Sequence, residues 1–144
     1  MKDSCFYDTS ILVYAYDESE KNKREVCKKL VEDIFKGERT GIVSNQVLAE
    51  LFNVLTRHMH SPISKDDAGQ IINEFANSQK WKKINYTTGT IRAAIATSKI
   101  INSQSIWDPL IAETMKENGI IELVTENEKD FNKIQGIKVI NPFK

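Results

Sequence analysis

Apolar and polar positions change period repeatedly along the chain, and the changes mark out its elements. Cys5-Phe6-Tyr7 is a short apolar run that reads as a strand and stops at Asp8. Thr9 and Ser10 are cap-type residues, and Ile11 to Tyr16 reads as a short buried helix. From about Glu20 to Phe35, Val26, Leu30, Val31 and Ile34 recur at helical spacing among many charges, until Gly37 ends the segment. Gly41-Ile42-Val43 is a second strand. Ser44 caps a strongly periodic helix carrying Val47, Leu48, Leu51, Phe52 and Leu55, and the stretch from His58 to Pro62 breaks the pattern. Ser64, with Asp66 and Asp67 behind it, opens a helix that buries Ile71, Ile72 and Phe75 and places its acids where the helix dipole favours them.

The second half repeats the alternation. Trp81 to Tyr86 predicts a third strand, and Thr90 to Ile101 a helix with Ile91, Ala94, Ile95 and Ser98 in register. Ser105 caps a helix from Ile106 to about Asn118, closed by Asn118-Gly119. Ile120 to Val124 is a nearly continuous apolar strand, as expected in a parallel sheet covered on both faces. A short helix over roughly Glu128 to Ile134 and a last strand from Ile137 to Ile140 complete the pattern. Strands separated by helical stretches predict an α/β fold with a mainly parallel sheet, whose sites gather at the carboxyl ends of the strands. Asp8 follows the first strand directly, Glu50 lies two turns into the helix after the second, and Glu126, Asn127 and Asp130 follow the strand ending at Val124.

Composition narrows the class without naming it. No repeat, low-complexity tract or linker divides the 144 residues, so one domain spanning 1–144 is expected. Hydrophobic residues at 40% and charged residues at 28% are ordinary for a soluble protein. The longest apolar run, Ile11 to Tyr16, is too short to span a bilayer. With no basic segment leading into an apolar stretch and cleavage site, a cytoplasmic location is expected. Cys5 and Cys27 belong to no CxxC pair and read as small buried hydrophobes. Lys plus Arg equals Asp plus Glu at 20 each, so any nucleic-acid binding must come from local patches or from a cation held by acidic groups.

Three carboxylates stand out against this background. Asp8 ends a strand and could serve as an N-cap. Glu50 is harder to explain structurally, because its helical neighbours Val47, Leu51 and Val54 are apolar and an uncompensated carboxylate on such a face is costly. Asp108, in Ser105-Ile106-Trp107-Asp108-Pro109-Leu110-Ile111-Ala112, sits in a first helical turn, where the dipole accepts an anion. Three acids from three separate elements imply a joint site. Converging acids repel unless a cation is present, and hard oxygen donors suit Mg2+ or Mn2+ rather than zinc. His58 and His60, close together near a loop, read as surface residues. Phosphodiester hydrolysis is the natural chemistry of such a site.

At these residues the sequence resembles the PIN-domain family, and within it the VapC-type toxins of toxin–antitoxin pairs. The matching segments are Tyr7-Asp8-Thr9-Ser10-Ile11-Leu12, Val47-Leu48-Ala49-Glu50-Leu51, Trp107-Asp108-Pro109-Leu110-Ile111-Ala112, and Leu123-Val124-Thr125-Glu126-Asn127 through Asp130-Phe131. The resemblance implies a three-layer α/β/α fold around a five-stranded, mainly parallel sheet, and Mg2+- or Mn2+-dependent cleavage of RNA. It makes Asp8 and Asp108 the main metal ligands, with Glu50 a ligand directly or through water. Thr9 and Thr125 would contribute hydroxyl contacts. At the family's fourth acidic position, where many relatives carry Thr-x-Asp, this chain has Thr125-Glu126-Asn127. That corner falls to Asn127 or, one helical turn on, to Asp130. The resemblance further implies an antitoxin partner and a homodimer; no membrane association is expected, because the apolar runs are too short to span a bilayer.

Other readings are open at this level. A catalytically silent PIN-like binding module would not need the three acids, and a non-toxin RNA-processing nuclease would keep them. A phosphatase with an aspartyl nucleophile would want a second Asp where Ser10 stands. A receiver-like signalling domain would want paired acids after its first strand and a late Lys. Lys80, Lys82 and Lys83 around Trp81, and Lys21, Lys23 and Arg24, are basic patches that read first as solvated charge. Trp107 reads as core rather than as a base-stacking platform.

Overall fold

A computed structural model describes residues 4–144. The described elements run in the order β1 (Cys5–Tyr7), α1 (Thr9–Tyr16), α2 (Lys21–Phe35), β2 (Gly41–Ser44), α3 (Asn45–Arg57), α4 (Lys65–Asn77), β3 (Trp81–Ile84), α5 (Thr88–Ile101), α6 (Trp107–Glu117), β4 (Glu122–Val124), α7 (Glu128–Phe131) and β5 (Lys138–Ile140). The five strands form one sheet in the order β3-β2-β1-β4-β5, with every neighbouring pair parallel. Successive side chains of a strand point to opposite faces. All residues of β1 and β2 are buried, so helices cover the sheet on both sides, as the α/β/α reading requires.

The strand order sets the location of the site. From central β1 the chain moves outward to β2 and β3, then crosses back to β4 and β5 on the other side. The order therefore reverses between β1 and β4, and the connections leaving their carboxyl ends diverge and open a crevice. Asp8 and Thr125 are the residues that follow those two strands. Backbone bonds carry the sheet one residue further at this point, Asp8 N donating to Val124 O at 3.0 Å and Thr125 N to Ile140 O at 3.0 Å.

Local chemistry explains most element ends. Ser44 and Ser64 cap α3 and α4, their hydroxyls accepting from Val47 N at 3.1 Å and Asp67 N at 3.0 Å. The cap of α1 is Asp8, the N-cap reading its sequence position left open, rather than the cap-type Thr9 or Ser10; its carboxylate accepts from Thr9 N at 2.8 Å. Helix α5 begins at Thr88 rather than Thr90: Thr87 and Thr90 satisfy each other's backbone N–H in a capping box. Ser105 does not cap α6; the N-cap is Ile106, and the Ser105 hydroxyl reaches only Trp107 N at 3.4 Å.

Three segments are shorter than expected. The third strand stops at Ile84 because its last partner, Ser44, is where β2 turns into α3. Residues Ile120 and Ile121 precede β4, with Ile121 61% exposed. Helix α7 ends at Phe131, and a tight turn from Ile134 N to Phe131 O replaces its last part. Val26 and Ile95, expected on buried faces, are exposed. The buried stripe of α2 runs through Cys27, Leu30, Val31 and Ile34, and that of α5 through Thr90 and Ala94, leaving both residues on the flanks. Ile71 and Ile72 are half-buried beside fully buried Phe75. Cys5 and Cys27 are buried free thiols, and no described helix is long and apolar enough to cross a membrane.

Candidate active site

Asp8, the residue that leaves β1, is buried at 9% exposure and its two oxygens have separate duties. One caps α1 through Thr9 N; the other accepts from the Thr125 hydroxyl at 2.7 Å, across the crevice between β1 and β4. Thr125 is fully buried, and its oxygen also accepts from Asn127 N at 3.0 Å, fixing the turn after β4. Burial pushes the Asp8 carboxyl above its usual range. The Thr125 and Thr9 hydrogen bonds pull the other way, and the Glu50 charge pushes it further up.

Glu50 lies on α3 beside the buried stripe of Val47, Leu51 and Leu55 and is half-buried. Its carboxylate accepts from the Thr9 hydroxyl at 2.6 Å and from the Gln46 amide at 3.2 Å. Gln46 is one helical turn before Glu50 and also reaches Trp107 O at 3.4 Å, tying α3 to the start of α6. Asp108, in the first turn of α6, accepts from the Asn127 amide at 3.2 Å. Its carboxyl is pushed up to about 6, first by burial and then by the charges of Asp8, Asp130 and Glu50.

These side chains line one cleft of about 370 Å3, bounded by Asp8, Thr9, Ser10, Glu50, Asp108 and Asn127. The acids face it without closing on a single point. No group of three or more described His, Cys, Asp or Glu residues stands close enough to hold an ion as placed, and like charges in a partly buried site keep apart. Asp130 is exposed and lines a second cleft, of about 470 Å3, on the other side of Asp108, together with Lys129 and Lys133. The two residues expected to share the fourth corner therefore divide it. Asn127 touches Asp108 within the acidic cleft, and Asp130 acts on Asp108 through its charge from the neighbouring one.

The donor set suits a hard divalent cation. Ion pairs among the described residues engage Asp33, Glu32, Glu113, Glu126 and Glu128, and none involves Asp8, Glu50 or Asp108. The hydroxyl of Ser10, in the cleft wall, is buried without a hydrogen-bond partner. Carboxylate oxygens with lone pairs to spare, those of Asp8 and Asp108 pushed up in pKa by burial and by neighbouring charge, are what a hard divalent cation would relieve. Glu126 is excluded from this set. The Lys23 ammonium and the Tyr14 hydroxyl both bind it, and despite burial they hold its carboxyl below the usual range.

The remaining candidates fall into place by location. His58 and His60 are exposed, as expected. The Lys80, Lys82 and Lys83 patch lies around the amino end of β3, away from the strand carboxyl ends, and Lys83 donates to Phe75 O and Ser78 O. Trp107 overturns the expectation that it is core: it is 52% exposed. Sequence reasoning missed Gln46, whose only signal was its position one turn before Glu50, and it missed the two lysines of α7 and its end, which a charge pattern alone does not distinguish.

Comparison with known proteins identifies the family and the fold. The sequence matches the family model for the PIN domain over residues 5–137. No curated protein matches the chain significantly. Among solved structures, VapBC2 from Rickettsia felis, bound to a DNA fragment from its promoter, is similar at 21% identity with a TM-score of 0.67, covering 94% of this chain and 96% of that chain. VapC20 of Mycobacterium tuberculosis, a toxin that cleaves the sarcin-ricin loop, is similar at 17% identity and a TM-score of 0.66, covering 88% and 92%. A toxin–antitoxin complex from Klebsiella pneumoniae gives 20% identity and a TM-score of 0.64, covering 96% and 98%. At these identities the likeness is one of fold.

Proposed function

The chain belongs to the PIN domain family, and on that premise we propose that it is a divalent-metal-dependent endoribonuclease acting as the toxin of a toxin–antitoxin pair in the cytoplasm. One observation carries the catalytic reading. Three carboxylates from three elements line one cleft at the switch point of the sheet, and among the described residues no cation pairs with any of them. Structural carboxylates elsewhere in the chain, such as Glu126 and Asp33, have such partners.

Asp8 and Asp108 would hold Mg2+ or Mn2+, with Glu50 completing the set directly or through water. Bound there, the ion would polarise a phosphoryl oxygen, lower the pKa of a water and stabilise charge on the leaving oxygen. The chain's own groups prepare that chemistry. Thr125 and Thr9 N each donate to Asp8, so they favour its ionised form and fix its direction. The Asn127 amide holds Asp108 in the same way. Glu50, fixed by Thr9 and Gln46, accepts a hydrogen bond from the attacking water and aims it in line at phosphorus. Lys129 and Lys133, past Asp108, offer charge to a neighbouring phosphate of the strand. With these lysines so placed, the zero net charge of the whole chain is no obstacle to RNA.

Purified Asp8→Asn protein should lose at least about a hundredfold in RNA cleavage while keeping the wild-type circular dichroism spectrum and a cooperative melt. Cleavage by that variant at the wild-type rate, in parallel preparations, would remove the assignment. The toxin reading has its own test. Expression should arrest growth, Asp8→Asn should not, and co-expression of a small DNA-binding protein encoded alongside should restore growth by forming a complex with the dimeric toxin.

A further inference from the structure

Trp107 opens α6 one residue before Asp108, yet half of its surface faces solvent. Among the described residues it pairs with no other ring, and neither does Tyr86, which follows β3. The two aromatics line a pocket of about 530 Å3 whose floor is a stripe of α3: Asn45, Ala49 and Asn53, each one turn from the next. Ala49 leaves space in the middle of the stripe. The amides of Asn45, Asn53 and neighbouring Asn85 make no hydrogen bond among the described residues. Glu50 and Asn53 belong both to this pocket and to the acidic cleft, so the two open into each other.

These features define the ligand chemistry. No lysine or arginine lines the pocket, so it is not built for phosphate. An apolar side chain of a protein partner would cover several amides without satisfying them, which is costly. A nucleobase matches both components, since it offers a flat face to an exposed ring and donors and acceptors along its edge. Unpaired RNA bases are bound in this way by aromatic stacking and edge hydrogen bonds.

We propose that this pocket is a nucleobase subsite. It receives the base of the nucleotide next to the phosphate in the acidic cleft, stacks it on Trp107, and reads its edge with the amides of Asn45, Asn53 and Asn85. The subsite rests on the ribonuclease reading for its role in cleavage, and it makes Trp107 a determinant of which bond is cut. Gln46, bound to both Glu50 and the Trp107 carbonyl, couples the seated base to the acid.

The test uses the full chain carrying Asp8→Asn, which can bind RNA without cutting it. Of the two tryptophans, Trp81 is buried at 1% exposure, so Trp107 is the one that a ligand can reach to quench. Short single-stranded RNA should quench its fluorescence, and an abasic ribose–phosphate strand of equal length should not. Adding Trp107→Ala should weaken RNA binding by about fivefold to a hundredfold, the equivalent of one stacked base. Trp107→Phe should recover most of that affinity. In the active protein the same loss should fall on KM and level the preference among cleavage sequences.

If RNA and the abasic strand bind equally, the proposal is overturned, and the nuclease reading survives as long as the wild-type protein cuts RNA. If Trp107→Ala changes only the sedimentation coefficient, the face is a protein interface and the proposal again fails. If the wild-type protein cuts no RNA but the Asp8→Asn chain still binds it base-dependently, the pocket stands and the nuclease reading falls.

Discussion

Asp8 answers two alternatives that its sequence position leaves open, because it is both an N-cap and a wall of the acidic cleft. One oxygen serves the helix, and the other is left to Thr125 and the cleft. This division makes Thr125 the residue on which a nearly buried anion depends. Thr125→Val keeps the shape and removes the donor, and it also takes the acceptor from Asn127 N. Stranding such groups costs about 1–3 kcal/mol. Urea unfolding at neutral pH should therefore show a loss of that size for Thr125→Val, largely restored in Thr125→Ser. An unchanged midpoint would mean that water replaces the hydroxyl and that Asp8 does not depend on it. Glu50 was the most legible of the acids, since an apolar helix face gives a carboxylate no structural reason to be there. Trp107 was illegible for the opposite reason. The residues that follow it on α6, from Pro109 to Ala112, are buried, and its own exposure is set at the start of α6, where its carbonyl meets Gln46 of α3, which no local pattern records.

Among the elements, the number and order of strands and helices were readable because period-2 and period-3.6 segments alternate, with caps such as Ser44 and Ser64 marking the changes. Ends set by tertiary partners were not readable. Strand β3 stops where β2 runs out, and nothing in Asn85-Tyr86 announces it. That early stop turns Asn85 and Tyr86 into pocket wall. The strand that leads into α3 also has a packing requirement. A Cβ on Gly41 would stand 2.7 Å from Trp81 Cζ3 and 2.8 and 2.9 Å from the Ile34 methyls. Trp81 cannot retreat, being packed against Tyr7, Phe35 and Phe75 with ring centroids 5.0–5.9 Å apart. Overpacking of this kind costs about 1–3 kcal/mol, so Gly41→Ala should lower the melting temperature clearly. An unchanged melt would show that β2 can slide away from the aromatic cluster.

For the whole molecule, folding against a set of like charges ties stability, pH and metal together. In the folded chain the Asp108 carboxyl is pushed up to about 6 from an ordinary 3.8, by burial and then by Asp8, Asp130 and Glu50. Below the lower value the folded and unfolded states both carry the proton. Between the two values the folded state keeps a proton that the unfolded chain has shed. This group's contribution to stability is therefore present at low pH and is lost as pH rises through about 6. Asp8, shifted in the same direction, adds to the trend. A divalent cation bound by these oxygens reverses the penalty and stabilises the folded state by mass action, by about 2.7 kcal/mol at a hundredfold excess over Kd. The metal-free protein should accordingly lose stability between about pH 4 and pH 6 by a margin that Asp108→Asn removes. Mg2+ should raise the wild-type melting temperature more at about pH 7.5 than at about pH 5. Other carboxylates give the melt its own pH dependence, so the quantity to compare is the difference between wild type and Asp108→Asn across the two conditions. Equal Mg2+ shifts in both proteins would mean that the ion binds elsewhere, and the cleft would then be an acidic crevice without the metal its chemistry requires.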